Sequence, residues 1–315
     1  MEKLLIVGID TLAGSNLALT LADRCNIVGI SDRSGFELPG CRTLSIRSSA
    51  SEAVGESIVA ERPSWIVYCG PTACSSWDCS DEQLFPHEPR QIAIVNDACK
   101  QCGSYLTLIS TDAVFHGPRL FHRETFPKAL DRPAAIAAIE AEKAITADGA
   151  LIVRSHVFGW NHAAASFAER LWTSLTEERP VAPSGTRFAT PILASDLAEL
   201  LWRAFRKKLS GVYHAGGAER ASMWQFATQL AATCGTSMKV LQLTATMRGA
   251  DLAMQGQMRC GQETSLDSRK LQRAVEMPLP LLRDGIDQFV AQAHNGYRER
   301  LRNALAMPNI TTAAA

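Results

Sequence analysis

The chain has 315 residues, 46% hydrophobic and 20% charged, enough apolar material for one large domain and a smaller lobe. Lys and Arg (32) balance Asp and Glu (32), so no net field draws the protein to nucleic acid or to an anionic membrane. No apolar run nears the ~20 residues that cross a bilayer, and MEKLLIVGID is not a secretory signal; nine cysteines without framework spacing fit a reducing compartment, so a cytoplasmic protein with free thiols is expected.

The first element is an apolar run at residues 4–8 that ends in a glycine turn, followed by Leu12, Leu17, Leu19 and Leu21 on a helix-like stretch. Strand-length runs recur at 26–30, 44–46, 65–69, 105–110 and 151–155, with crossover helices at 49–61, 90–102 and 134–147. Repeated βα units imply a parallel sheet covered on both faces, with ligands bound beyond the carboxyl ends of its strands. Gly8, Asp32, Gly70 and Thr111 then border one crevice.

Gly8 and Gly14 bracket the first strand-to-helix turn, where backbone N–H groups and the helix dipole can hold a diphosphate. Thr11 and Leu12 lie inside that turn, and Cys69 and Gly70 close it from the fourth strand. Thr11 stands where a third glycine normally permits close phosphate contact, so a turn that needs glycine for packing alone remains an alternative. After the second strand, Asp32 suits an adenosine ribose and Arg33 a 2′-phosphate, which leaves NAD and NADP both open.

Cys99 and Cys102 form a CxxC, and Cys69, Cys74 and Cys79 share one loop region. Zinc sites usually come as two spaced pairs or with close histidines, so no metal is expected, and Cys99 and Cys102 are placed on one helix face. Beyond residue 156 the rhythm changes to helices at 163–176, 195–207 and 222–234. The division expected is a dinucleotide-binding domain at 1–155, a substrate-facing lobe at 156–307 partly interleaved with the sheet, and a frayed tail at 308–315.

Several segments in fixed order carry a resemblance: RPSWIVYCGPTA (62–73), STDAVFHG (110–117), LIVRSHVFG (151–159), RFATPILASDLAELL (187–201), SGVYHAGGAERASMWQFA (210–227) and TSLDSRKL (264–271). With the N-terminal loop they resemble dTDP-4-dehydrorhamnose reductase and its relatives among the extended short-chain dehydrogenases, over nearly the whole chain. That resemblance implies an α/β fold, a Rossmann-like doubly wound parallel sheet with a smaller C-terminal substrate-binding lobe. It also implies a nicotinamide cofactor and a nucleotide-sugar ligand.

In that family a Thr or Ser after the fifth strand works with a Tyr and a Lys four residues apart on the next helix. Thr111 matches the first. A carbonyl that accepts hydride must also gain a proton, and a nearby ammonium brings a phenol pKa of about 10 toward neutrality. Glu124 and Glu142, matched to the family's acidic positions, place the Tyr at Ala134 and the Lys at Ala138, so both proton-handling groups are methyls. Tyr68, Tyr105, Tyr213 and Tyr297 are followed four residues later by Thr72, Ile109, Gly217 and Leu301, so no other register supplies the pair.

His116 replaces an Asp of the family motif and is the first candidate for a substitute acid, with His122, Glu124, Asp131 and Glu140 in the same segment. His156, Trp160, Asn161 and His162 follow the sixth strand where relatives meet the sugar nucleotide, although an aromatic packing corner explains them equally. Arg187 and Arg259 are candidates for a ligand diphosphate.

Three functions follow. The first is a binding, regulatory or scaffolding protein that lacks the reductase acid; the regulatory β subunit of methionine adenosyltransferase, which also looks like this family, is a precedent for a regulated enzyme partner. The second is a working NAD(P)H-dependent reductase of a 4-keto nucleotide sugar that uses Thr111 and another donor. The third is non-redox chemistry on a bound sugar nucleotide. The methyl-rich face of the 134–145 helix would also suit a homodimer.

Overall fold

The computed structural model describes residues 1–47, 49–79, 87–163, 165–242 and 263–304. Arg259 and the 308–315 tail therefore lie outside the described residues.

The N-terminal half alternates strand and helix: β1 Glu2–Val7, α1 Leu12–Leu21, β2 Cys25–Ser31, β3 Cys41–Ser45, α2 Ser51–Glu61, β4 Trp65–Tyr68, α3 Glu88–Cys102, β5 Tyr105–Thr111, α4 Pro133–Lys143 and β6 Leu151–Ser155. Next come the two-residue strand β7 Val157–Phe158, α5 Phe167–Thr176, the short strands β8 Phe188–Ala189 and β9 Ile192–Leu193, and α6 Ala194–Arg206. β10 Gly211–Ala215, β11 Ala221–Ser222, α7 Met223–Thr233, α8 Arg269–Val275, α9 Leu282–His294 and α10 Tyr297–Arg302 complete the described chain.

Seven parallel strands form one sheet in the order β10-β6-β5-β4-β1-β2-β3, the Rossmann-like doubly wound arrangement. Its seventh strand, β10, comes from the C-terminal half and pairs with β6 from Gly211 opposite Leu151 to Ala215 opposite Ser155. The central strands β4 and β5 are buried on both faces, as a covered parallel sheet requires, while the edge strands β3 and β10 are partly exposed. Leu4 and Ile6 join one core with Trp65, Leu17 and Phe205, whereas Leu5 and Val7 join the other with Val54, Ile58, Ile92 and Val95. Helices α2, α3 and α4 pack side by side over one of these cores, and α1 packs on α6 over the other. Trp65 stacks flat on Phe205 with ring centroids 4.5 Å apart.

The lobe helices start where their caps dictate. Ser166 and Glu169 form a reciprocal capping box, so α5 begins at Phe167, and Ser222 with Gln225 does the same for α7. Among the described residues, no helix is long and apolar enough to cross a membrane.

Candidate functional site

The carboxyl ends of the central strands open on a crevice of about 380 Å³ whose walls include Thr11, Leu12, Arg33, Gly70, Cys74 and Asn161. Gly8, Gly14 and Cys69 are not among its lining residues; they shape the adjoining β1–α1 turn by close backbone approach. Gly8 has φ +82°, and a Cβ there would stand 2.1 Å from the Cys69 carbonyl oxygen; a Cβ on Gly14 would stand 2.2 Å from the Gly8 carbonyl oxygen. Backbone packing alone thus demands both glycines, and it also brings the first turn of α1 to the crevice wall.

Thr11 caps that turn. Its hydroxyl donates to the Gly8 carbonyl at 2.8 Å and accepts from the Gly14 N–H at 3.1 Å. One donor a diphosphate would otherwise meet is thereby occupied, while Leu12 and Ala13, whose N–H groups have no intrahelical acceptor, remain in the wall.

Of the two residues after β2, Arg33 lines the crevice, and its Nε lies 3.8 Å from Asp10 Oδ2. Asp32 is exposed. Burial raises the Asp10 carboxyl, opposed by its own backbone, Ser31 and Arg33. His162 is buried between Asn161 and Ala163, which both line the crevice, and packs edge-on to Phe36 at 5.2 Å. Burial, with Arg33 nearby, lowers its pKa to about 4, so at neutral pH it adds no cation.

Thr111 is buried at the end of β5; its hydroxyl donates to the Cys74 carbonyl at 2.6 Å and accepts from Ala113 N at 3.1 Å. Beside it, fully buried Asp112 accepts from Ser76 N at 2.8 Å, Ser76 Oγ at 2.6 Å and Thr264, and meets His156 Nδ1 at 2.7 Å. Burial works to raise Asp112, but His156, Ser76 and Thr264 together hold it below the usual carboxylate value. The sequence reading did not single out Asp112, although it lies in the STDAVFHG segment next to Thr111.

On α4, Ala134 is half-buried and Ala138 and Ala141 are fully buried, while Ile145 just beyond the helix packs on the second core. One turn past Ala138, Glu142 accepts two bonds of 2.7 Å from Arg154, with the Ser110 hydroxyl and the Lys128 ammonium each at 2.8 Å. Burial alone would raise Glu142, and Arg154 with Lys128 overcomes it. All four tyrosines are engaged elsewhere. Tyr68 donates to Gln91 Oε1 at 2.8 Å, Tyr297 to Asn16 Oδ1 at 3.0 Å and Tyr105 to the Leu209 carbonyl, and the Tyr213 ring lies 4.0 Å from the Lys270 ammonium.

His116, His122 and Asp131 line a second cavity of about 350 Å³ with Arg119 and Lys128. His122 stacks on Phe115 at 4.5 Å with its Nε2 3.1 Å from the Glu263 carbonyl, and burial lowers its pKa. Glu124 accepts from the His214 N–H at 3.2 Å, and Glu140 pairs with Lys143 on the surface at 2.8 Å.

Trp160 sits in the lobe core: it is fully buried, stacks on Phe289 at 4.1 Å and donates to the Phe289 carbonyl at 2.9 Å. Half-buried Arg187 reaches across to donate to the Ser76 carbonyl. Cys99 and Cys102 both lie on α3, with their thiols near the Ser104 and Ile58 carbonyls.

A family model described as the RmlD substrate binding domain matches residues 2–295. No curated protein sequence matches the chain. Among solved structures, a hypothetical dTDP-4-dehydrorhamnose reductase from Sulfolobus tokodaii is 20% identical with TM-score 0.74, covering 90% of this chain and 98% of its own. The dTDP-4-dehydrorhamnose reductase of Bacillus anthracis, solved with NADP, is 17% identical with TM-score 0.74 over 93% and 99%. The Bordetella bronchiseptica enzyme WbmH, solved with NAD+, is 16% identical with TM-score 0.71 over 94% and 100%.

Proposed function

The chain belongs to the RmlD substrate-binding-domain family, and from that premise we propose that it binds a nicotinamide dinucleotide and a nucleotide sugar in a binding or regulatory role, without the tyrosine and lysine chemistry of the reductases it resembles. What supports this reading is the resemblance, which puts Ala134 and Ala138 of α4 at the phenol and ammonium positions, together with the engagement of the four tyrosines elsewhere. Loss of a general acid typically slows a proton-coupled step by about 10²- to 10⁴-fold. The Thr111 hydroxyl, already donated to the Cys74 carbonyl, does not replace it.

For the coenzyme, the Leu12 and Ala13 N–H groups would meet the diphosphate and Arg33 a 2′-phosphate, so NADP is favoured over NAD. Asn161 extends the same wall toward the lobe that would hold the sugar nucleotide.

Fluorescence titration with NADPH and NADH tests the reading. Saturable NADPH binding, weaker for NADH and sensitive to a dTDP-linked 4-keto sugar, is expected; no response to either coenzyme rejects it.

A working reductase has one observation in its favour, His156 held through Nδ1 by buried Asp112 at 2.7 Å beside Thr111. Steady NADPH oxidation that His156→Ala abolishes and His116→Ala leaves intact would replace the first reading with this one.

A further inference from the structure

The segment between β5 and α4 closes on itself. The Ala129 N–H donates back to the Val114 carbonyl at 2.8 Å, and residues 116–131 line the cavity of about 350 Å³ that holds His116 and His122. This cavity shares no lining residue with the crevice at the strand ends. His122 is fixed in place: its N–H donates to the Ser265 carbonyl at 2.7 Å, its carbonyl accepts from Asp267 N at 2.8 Å, its ring stacks on Phe115 at 4.5 Å, and Nε2 lies 3.1 Å from the Glu263 carbonyl.

A carbonyl only accepts, so Nε2 carries the hydrogen of the neutral ring and Nδ1 carries a lone pair. Burial lowers the His122 pKa and keeps the ring neutral. His122 is 3% exposed, and its Nδ1 has no hydrogen-bond partner among the described residues; the Nδ1 of His116, on the same cavity, is in the same position. A buried acceptor without a donor is costly, so a ligand that supplies the donor is favoured.

The rest of the lining alternates in kind. The Arg119 guanidinium lies over the Phe126 ring at 5.1 Å, and the Lys128 ammonium, with three N–H groups, meets Glu142 at 2.8 Å. Asp131 sets a carboxylate against these two cations, and Glu142 balances Lys128, so the lining offers donors and acceptors but no net charge to select an anion. Pro118 and Pro127 add apolar surface.

We propose that this cavity is a second ligand site, for an uncharged vicinal polyol the size of one monosaccharide. One hydroxyl donates to His122 Nδ1, neighbouring hydroxyls accept from Arg119 and Lys128 and donate to Asp131, and the C–H face rests on the two prolines. A vicinal diol donates and accepts at adjacent positions, which a carboxylate or phosphate dianion does not. The site is separate from the nucleotide-sugar position, which under the proposed function follows the Asn161 wall of the other opening.

The test is an NMR titration of the full chain, carrying ¹⁵N-labelled histidine, with D-glucose, D-galactose, D-mannose and D-xylose. Tetrahydropyran serves as the same ring without hydroxyls, and inorganic phosphate as an anion. At least one sugar is expected to bind saturably, with a dissociation constant of about 1 mM, and to move the His122 Nδ1 resonance upfield, while tetrahydropyran binds at least about tenfold more weakly. Arg119→Ala and Asp131→Asn, both at exposed side chains, should each weaken that sugar about tenfold, and saturating NADPH should leave its affinity unchanged. No saturable binding of any of the four sugars, a response to phosphate alone, displacement of the sugar by NADPH, or an affinity that both variants retain overturns the proposal. The sugar titration is read without coenzyme, so this site and the coenzyme reading fail separately.

Discussion

The two ends of α4 differ in kind. At the C-terminal end, Glu142 is buried and saturated by Arg154, Lys128 and Ser110; toward the N-terminal end, Ala134 and Ala138 present only methyl groups. A buried carboxylate with two cations cannot lose a partner without stranding charge, whereas a methyl wall asks nothing of its neighbours. Framework and proton chemistry are therefore separable on a single helix, and under the proposed function this chain holds the first without the second.

The largest expected effect comes from breaking the saturated end. Glu142→Ala should destabilise the protein by about 3–5 kcal/mol in urea unfolding, because Arg154 is left buried without its counter-charge. An unchanged urea midpoint would show that the cluster is not structural. Because the folded pKa of Glu142 is depressed, its contribution is complete above the ordinary carboxylate pKa and disappears as pH falls through the folded value.

Glu88 sharpens the comparison with the opposite sign. It is buried under the crevice wall, bonded to Thr72 N and Thr72 Oγ1, and burial raises it to about 7 despite those donors. Its penalty is absent below the unfolded pKa and complete above about 7. Glu88→Gln should then raise stability by up to about 3 kcal/mol at pH 8 and by little at pH 4, as urea midpoints at the two pH values would show. Equal gains at both would exclude titration as the cause.

Two smaller changes probe the crevice. Arg33→Ala should weaken NADPH about tenfold or more and leave NADH nearly unchanged in parallel titrations. Thr11→Gly should change unfolding free energy by only about a few tenths of a kcal/mol, since glycine is an acceptable cap, and should tighten NADPH by freeing the Gly14 N–H. Weaker binding in the glycine variant would mean that the threonine hydroxyl helps to hold the ligand.

How much of this was legible in the residues follows from distance along the chain. Five of the six N-terminal strands could be read because their apolar runs are local, whereas β3, Cys41–Ser45, lies mostly ahead of the run at 44–46 and is only partly buried; the Gly8 to Gly14 turn could be read because its packing partners are a few residues away or on the next sheet strand. The seventh strand was not read: GVYHA is short, begins at a glycine with φ +87° and is only partly buried. Trp160 was ambiguous because a ring after a strand serves core or ligand equally, and only its stack on Phe289 decides. The network around Asp112 joins Ser76, His156 and Thr264, and Ser76 lies 188 residues from Thr264, so no local pattern announces it.

Transfer of label from NADPH carrying deuterium at the reactive C4 position to a dTDP-linked 4-keto-6-deoxy sugar, with protein in excess and product read by mass spectrometry, tests the central claim most directly. Bound NADPH and no deuterium in the sugar is the predicted result. Deuterium at the sugar C4 at rates of about 1 s⁻¹ or faster, the range of ordinary enzymes, would contradict it.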